Sequence, residues 1–465
     1  MTSGPGQDGL PVPRRYWSAA TIWLAIAMAV LDGTIANVAL PTMARELAIE
    51  PAISVWIVNA YQLTITVLLL PLAALGDRIG YHKVYFPALA LFTIGSATCA
   101  MSPSFDSLLL ARIVQGVGAA GIMSMNAALV RATYPSNMLG RGMGYNALVL
   151  SMAAALGPTL AAIILSVASW RWLFLINVPI GIIALSIAIR ALPRAPGRGG
   201  RLGWPSALLS AAMLGGIVIG AETFARAGSR LGAGLIVLGV VAGVVLIRRE
   251  RRDPAPLMPL DLLRIPIFTL SIVTSVVSFA AQMLAYVALP FYFQSVLGRS
   301  VFETGLLMTP WPIAVGCAAP FAGRLSDRVP SGLLGGIGMV VFGLGLFLLS
   351  RLGASPDNLD IAWRMAVCGL GFGFFQSPNN REIIISAPLN RSGAAGGMLA
   401  TGRLLGQTAG AVSVGVAFHL AGVDVSPDLL LAAAIAAILA AAISLLRLRL
   451  KEPAPQLKPA TPIVK

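Results

Sequence analysis

The chain has 465 residues, 57% of them hydrophobic and only 11% charged, with a formal net charge of +15 and a mean hydropathy of +0.83. A soluble domain carries about 25% charged residues, so the composition excludes soluble folds and leaves an all-α polytopic membrane bundle. The basic excess then raises the question of where Lys and Arg fall relative to apolar spans before it suggests nucleic acid.

Stretches long and apolar enough to cross a bilayer lie near 17–41, 53–75, 84–102, 107–130, 142–167, 171–191, 204–223, 231–248, 267–293, 304–323, 332–351, 361–380, 395–420 and 427–447, fourteen in all. With the N-terminus inside, twenty-four basic residues fall on the cytoplasmic side and seven outside. Both termini are therefore expected in the cytoplasm of a multi-pass inner or plasma membrane protein. Clusters such as Arg248-Arg249 with Arg251-Arg252 read as topology anchors that touch anionic lipid, not as a nucleic-acid patch. Residues 1–16 carry Arg14 and Arg15 but no cleavage signature, so the first span is expected to be retained.

That first span contains a carboxylate, Asp32, in the run Leu31-Asp32-Gly33-Thr34-Ile35-Ala36-Asn37-Val38-Ala39-Leu40-Pro41. A charge there costs roughly 2.5 to 3.5 kcal/mol on insertion scales, so it should face a polar interior and mark a proton, ion or cation pathway. Span 2 adds a polar stripe of Trp56, Asn59, Gln62 and Thr66 at helical spacing, expected to face a central cavity. The next connection is the very short turn Gly76-Asp77-Arg78-Ile79-Gly80. Span 4 holds Arg112, which needs an intramembrane partner, and Asp32 is the one acidic residue well inside a span. The two are expected to share one cavity and couple directly or through water and Gln115. Span 5 contains Gly157-Pro158, which should weaken and kink its helix, and Trp170-Arg171-Trp172 suits an aromatic interfacial belt.

The chain also repeats itself. Val38 to Pro41 recurs as Val287 to Pro290, Gly76-Asp77-Arg78 is matched by Ser326-Asp327-Arg328, and Gly116, Gly118, Ser124 and Asn126 find Gly369, Gly371, Ser377 and Asn379 at a nearly constant shift. The expected organisation is a tail (1–16), a six-helix bundle (17–191), a linker (192–203), a two-helix insertion (204–248), a second linker (249–266), a second six-helix bundle (267–447) and a C-terminal tail (448–465). Further cavity candidates are Gln282, Met283, Tyr286, Gln294, Trp311, Gln376, Asn379 and Asn380. At the positions equivalent to Asp32 and Arg112 the second half has Ala281 and Met365.

A parallel repeat of six helices plus six resembles the major facilitator superfamily, and Leu31–Pro41, Gly76–Gly80 with Lys83, Leu108–Ala120, Gly157-Pro158 and Trp170–Gly181 resemble its fourteen-helix drug:proton antiporters. The resemblance implies multidrug efflux by alternating access. It assigns Gly76, Asp77, Arg78 and Gly80, with Asp327 and Arg328, to a conformational latch, and Gly157-Pro158 to the antiporter-type kink between halves. Ala73, Ala161, Ala162 and Pro330 depart from its glycine pattern. Independently of the resemblance, an adjacent cation lowers a carboxylate pKa and desolvation raises it, so Asp32, Arg112 and Gln115 are expected to form a proton-coupling group that changes protonation as the cavity alternates between wet and occluded.

The expected substrate is an amphipathic, cationic compound exchanged electroneutrally for a proton by a monomer. A dedicated exporter of a metabolite, lipid or peptide fits the same scaffold, and a non-transporting receptor fits less well. No phosphate-binding glycine loop, nucleophile elbow or metal-ligand spacing occurs, so no cofactor, metal or enzymatic reaction is expected.

Overall fold

The computed structural model describes residues 9–135, 138–194, 203–227, 230–250, 261–326, 328–353, 355–387 and 392–450, and among these it is helical with no strands. The first six-helix set comprises α1 (Arg14–Glu46), α2 (Pro51–Ile79), α3 (Tyr81–Met101), α4 (Phe105–Thr133), α5 (Leu139–Val167) and α6 (Arg171–Ala191). An inserted pair follows, α7 (Trp204–Ala227) and α8 (Arg230–Glu250). The second set is α9 (Pro266–Val296), α10 (Val301–Leu325), α11 (Ser331–Ser350), α12 (Asn358–Ile385), α13 (Ser392–Ala421) and α14 (Ser426–Leu446).

Among the described residues twelve helices are long and apolar enough to cross a membrane. The two other predicted spans are occupied by α5 and α12, of 29 and 28 residues, and α12 carries Asp360, Arg364, Arg381 and Glu382. Local chemistry sets several ends. Gly80, at φ +102°, makes the tight turn between α2 and α3. A capping box opens α10, where the Ser300 N–H donates to Glu303 at 2.9 Å and the Glu303 N–H donates back to the Ser300 hydroxyl at 3.2 Å.

Packing repeats between the sets. α1 packs on α5 and α6 as α9 packs on α13 and α14, and α4 packs on α2 and α3 as α12 packs on α10 and α11. Glycines permit these approaches: a Cβ on Gly118 would lie 2.4 Å from the Phe92 backbone, and one on Gly371 2.3 Å from that of Phe342. The inserted α7 packs against both α2 and α13, so it bridges the two sets. α8 rides on α7 and turns Val237, Leu238, Val240 and Val241 outward.

The sets meet unevenly. At the end away from the Gly76–Gly80 turn a single apolar core runs through both, joining Val38, Val55, Ala161 and Trp170 to Val287, Phe291, Met308, Val414 and Phe418. Towards the turn the core divides. One cluster, with Ile22, Leu89, Met125 and Leu129, belongs to the first set and takes in Leu404 and Ala400 from α13; another holds Phe268, Ile272, Ile383 and Met398. Hydrogen bonds between the sets join Gln294 to the Val38 carbonyl (3.3 Å), Thr159 to Thr309 (2.6 Å), Gln62 to Gln407 (3.4 Å) and Thr66 to Thr408 (3.3 Å). The sets are thus sealed by one core at one end and carry separate cores towards the turn, and the seam between those divided cores is the cleft.

Candidate functional site

Asp32 of α1, 2% exposed, sits at the centre of a polar cluster to which four other helices contribute. α4 supplies Arg112, whose Nη1 makes the ion pair with Asp32 Oδ2. One turn on, Gln115 donates from Nε2 to Asp32 Oδ1 at 2.7 Å and accepts from Arg112 Nη1 at 2.7 Å on Oε1. α6 contributes Asn177, whose Nδ2 donates to Asp32 Oδ1 at 3.0 Å, and α3 contributes Ser96, which accepts from Gln115 at 2.9 Å. From α2, the Ile57 carbonyl accepts from Arg112 Nε at 2.9 Å, while the Tyr61 ring lies 4.1 Å below the guanidinium. Direct pairing and the bridge through Gln115 therefore occur together.

The backbone explains how these groups meet. A Cβ on Gly95 would fall 2.7 Å from Gln115 Cα, so only glycine lets α3 come close enough for Ser96 to reach the amide. Gly157 does the same for α5, where a Cβ would lie 2.0 Å from Thr34 Oγ1, two residues from Asp32. A buried charge pair is tolerated only when its remaining hydrogen-bonding capacity is met. Both Asp32 oxygens are occupied here, and one guanidinium nitrogen, Arg112 Nη2, is buried without a partner.

The other predicted residues divide. Gln62 and Thr66 of the α2 stripe reach across to α13, and Asn59, on the same stripe, is 1% exposed with neither amide atom partnered. Trp56, Gln282, Gln376 and Asn380 are half-buried. Gln294 is spent on the Val38 carbonyl at the closed end. Met283, Tyr286 and Trp311 are packed away: Tyr286 meets Trp311 edge-on at 4.8 Å, and Trp311 continues into Phe342 and Phe372.

Asn379 is drawn to a different centre. Arg447, at the end of α14, is 3% exposed and donates from Nη1 to Asn379 Oδ1 at 2.8 Å and to Ser271 at 2.9 Å; its Nη2 donates to Ser444. The Gly76–Gly80 turn has Gly76 buried against Met125, Asp77 exposed and accepting from Tyr81 Oη at 2.8 Å, and one Arg78 nitrogen buried without a partner. Asp327 lies outside the described residues, and Arg328 is exposed. Of the tryptophan pair only Trp172 faces outward; Trp170 is fully buried beneath Arg171 and beside Phe174.

Asn177 and Ser96 escaped sequence reasoning. Asn177 had one signal, an amide inside the apolar run Leu175-Ile176-Asn177-Val178, overshadowed by the neighbouring tryptophans.

Two repeated helical sets around a one-ended cleft, with a buried ion-pair centre in one of them, define an integral membrane transporter and not an enzyme. The chain belongs to the Major Facilitator Superfamily, whose family model matches residues 22–411. It is 53% identical over 444 residues to the transporter YebQ of Escherichia coli (strain K12), covering 95% of this chain and 97% of that one. It is 32% identical to the riboflavin transporter RibZ of Clostridioides difficile (83% and 84% covered) and 30% identical to the methylenomycin A resistance protein of Streptomyces coelicolor (89% and 87%).

Proposed function

We propose that this chain is a proton-coupled antiporter of the fourteen-helix type that exports amphipathic compounds by alternating access. The observation that carries the reading is the buried Asp32 centre, which ties α1, α2, α3, α4 and α6 together and has no charged equivalent at Ala281 and Met365. Protonating Asp32 would remove the charge that faces Arg112 and loosen its hold on Ile57 of α2 and Asn177 of α6. A proton can thereby change how the helices of one set sit against the other. On this reading the end with the continuous core faces outward and the end beside the basic turns faces the cytoplasm, so the chain rests inward-facing in a cytoplasmic membrane with both termini inside. The resemblance to a protein named for antibiotic resistance favours export.

The test is transport by purified protein in proteoliposomes under an imposed pH gradient, with the parent and Asp32→Asn compared on a panel of amphipathic compounds. Gradient-driven flux in the parent and its loss in the variant are expected. Undiminished gradient-driven flux in Asp32→Asn would remove the carboxylate from coupling. The similarity to a protein named as a riboflavin transporter supports a second reading, a dedicated metabolite carrier, so riboflavin belongs in the panel.

A further inference from the structure

Three arginines lie deep in the helical sets. Arg112 faces Asp32 and Arg447 fills a polar nest, but Arg403 of α13 makes no hydrogen bond or ion pair among the described residues, and its Nε is enclosed without a partner. An unanswered intramembrane cation is costly enough to require a reason.

Its direction follows from the helix. Gly402, Gly406 and Gly410 face α9, where added Cβ atoms would meet Ile272, Val276 and Ala280. Leu404 and Thr408 face α2. At its level on the helix Arg403 lies between those two faces, flanked by Gly402 and Gly406 on the α9 side and by Leu404 and Thr408 on the α2 side, one turn from Gln407. Val414 is fully buried in the core that closes the cleft; a Cβ on Gly396 would meet nothing within 4 Å. A separate side of α13, with Ala409, Ser413 and Leu420, is exposed even at the closed end and is the outer face. Arg403 therefore lines the cleft from its open side, about 6 Å along the helix from Gln407, the residue that joins Gln62.

The charge balance of the cleft is then the reverse of a cation trap. The sequence-level expectation of a cationic substrate relied on Asp32, yet both of its oxygens are taken by Arg112, Gln115 and Asn177. We propose that Arg403 is a substrate-binding residue and that the compounds carried bear an anionic group, a carboxylate or similar oxyanion, on an amphipathic skeleton. The guanidinium fork would take the anion in a bidentate pair, and the buried, unpartnered Asn59 amide, three residues before Gln62 on α2, offers a second polar contact. The inference deepens the transport reading and rests on it for direction. Export of a monovalent anion against one entering proton moves two positive charges inward per cycle, so an inside-negative potential should accelerate it.

Binding without any gradient separates this proposal from proton coupling. Thermal stabilisation of the purified protein in detergent is measured with matched series of aliphatic and aromatic carboxylates, their uncharged carboxamides and their quaternary ammonium analogues, for the parent, Arg403→Lys and Arg403→Gln. In the parent, carboxylates should bind at least tenfold tighter than the matched amides. Arg403→Gln should erase that preference while leaving amide affinity unchanged, and Arg403→Lys should keep part of it. No stabilisation by any carboxylate at millimolar concentration, a preference for the ammonium series, or an equal loss for carboxylate and amide in Arg403→Gln would overturn the proposal, whatever the flux assays report.

Discussion

Gln115 stands between the two charges it serves, donating a hydrogen bond from Nε2 to Asp32 Oδ1 and accepting one from Arg112 Nη1 on Oε1, both at 2.7 Å. Hydrogen bonds to charged groups contribute about 1.5 to 3 kcal/mol each. Gln115→Leu should therefore leave the direct ion pair but lower proton-driven flux about tenfold or more, with little loss of protein in the membrane. Unaltered flux at equal expression would show that the bridge is dispensable.

Asp32→Asn leaves Arg112 buried beside a neutral amide, and breaking one side of such a pair costs about 3 to 5 kcal/mol. The single variant should melt well below the parent. Adding Arg112→Gln should recover most of the stability and none of the coupling, a divergence readable by pairing thermal melts with flux on the same preparations. If the double variant melts as low as the single one, the cost lies elsewhere.

Gly157→Ala would place a Cβ 2.0 Å from Thr34 Oγ1 and force α5 away from α1. Transport should fall several-fold, and Thr34→Ala in the same chain should restore much of it. Failure of that rescue would point to backbone flexibility at Gly157-Pro158 instead of close packing.

The hydroxyls of Thr159 and Thr309 are 2.6 Å apart across the closed end. Cysteines at both positions should form a disulfide that halts transport, with full recovery on reduction. Continued transport in the oxidised, cross-linked protein would mean that these helices do not part during the cycle.

Removing Arg447 strands Asn379 Oδ1, at a cost of about 1 to 3 kcal/mol for a buried unmet acceptor, while the Ser271 and Ser444 hydroxyls keep their bonds to the Ile267 and Gly332 carbonyls. Arg447→Met should lower the melting temperature by several degrees without changing the pH dependence of flux. A shifted pH dependence would give this nest a part in coupling.

Much of the architecture was legible because a bilayer imposes a simple rule on sequence: long apolar spans, basic ends, and charges only where they are answered. Asp32 and Arg112 identify each other by scarcity, and Gln115 follows from helical spacing. Residues such as Asn379, Tyr286 and Trp311 show where that logic stops. Polarity or bulk says that a side chain avoids lipid, but not whether it faces a cleft, a neighbouring helix or a buried nest. Asn379 went to Arg447 and Trp311 to Phe342, outcomes fixed by helix rotation and by glycine contacts that one dimension does not encode. Arg403 was visible as a charge within a span; only the orientation of α13 gives it a use.

The inserted α7 touches α2 of one set and α13 of the other. If the sets rock, this helix cannot follow both, so one of its two contacts must slide at every turnover. The hairpin is thus a passenger on a hinged vehicle, and the smooth glycine surface that binds it to α8, where Gly216, Gly220, Gly232 and Gly239 bring the backbones together, keeps it in one piece while the ground beneath it shears.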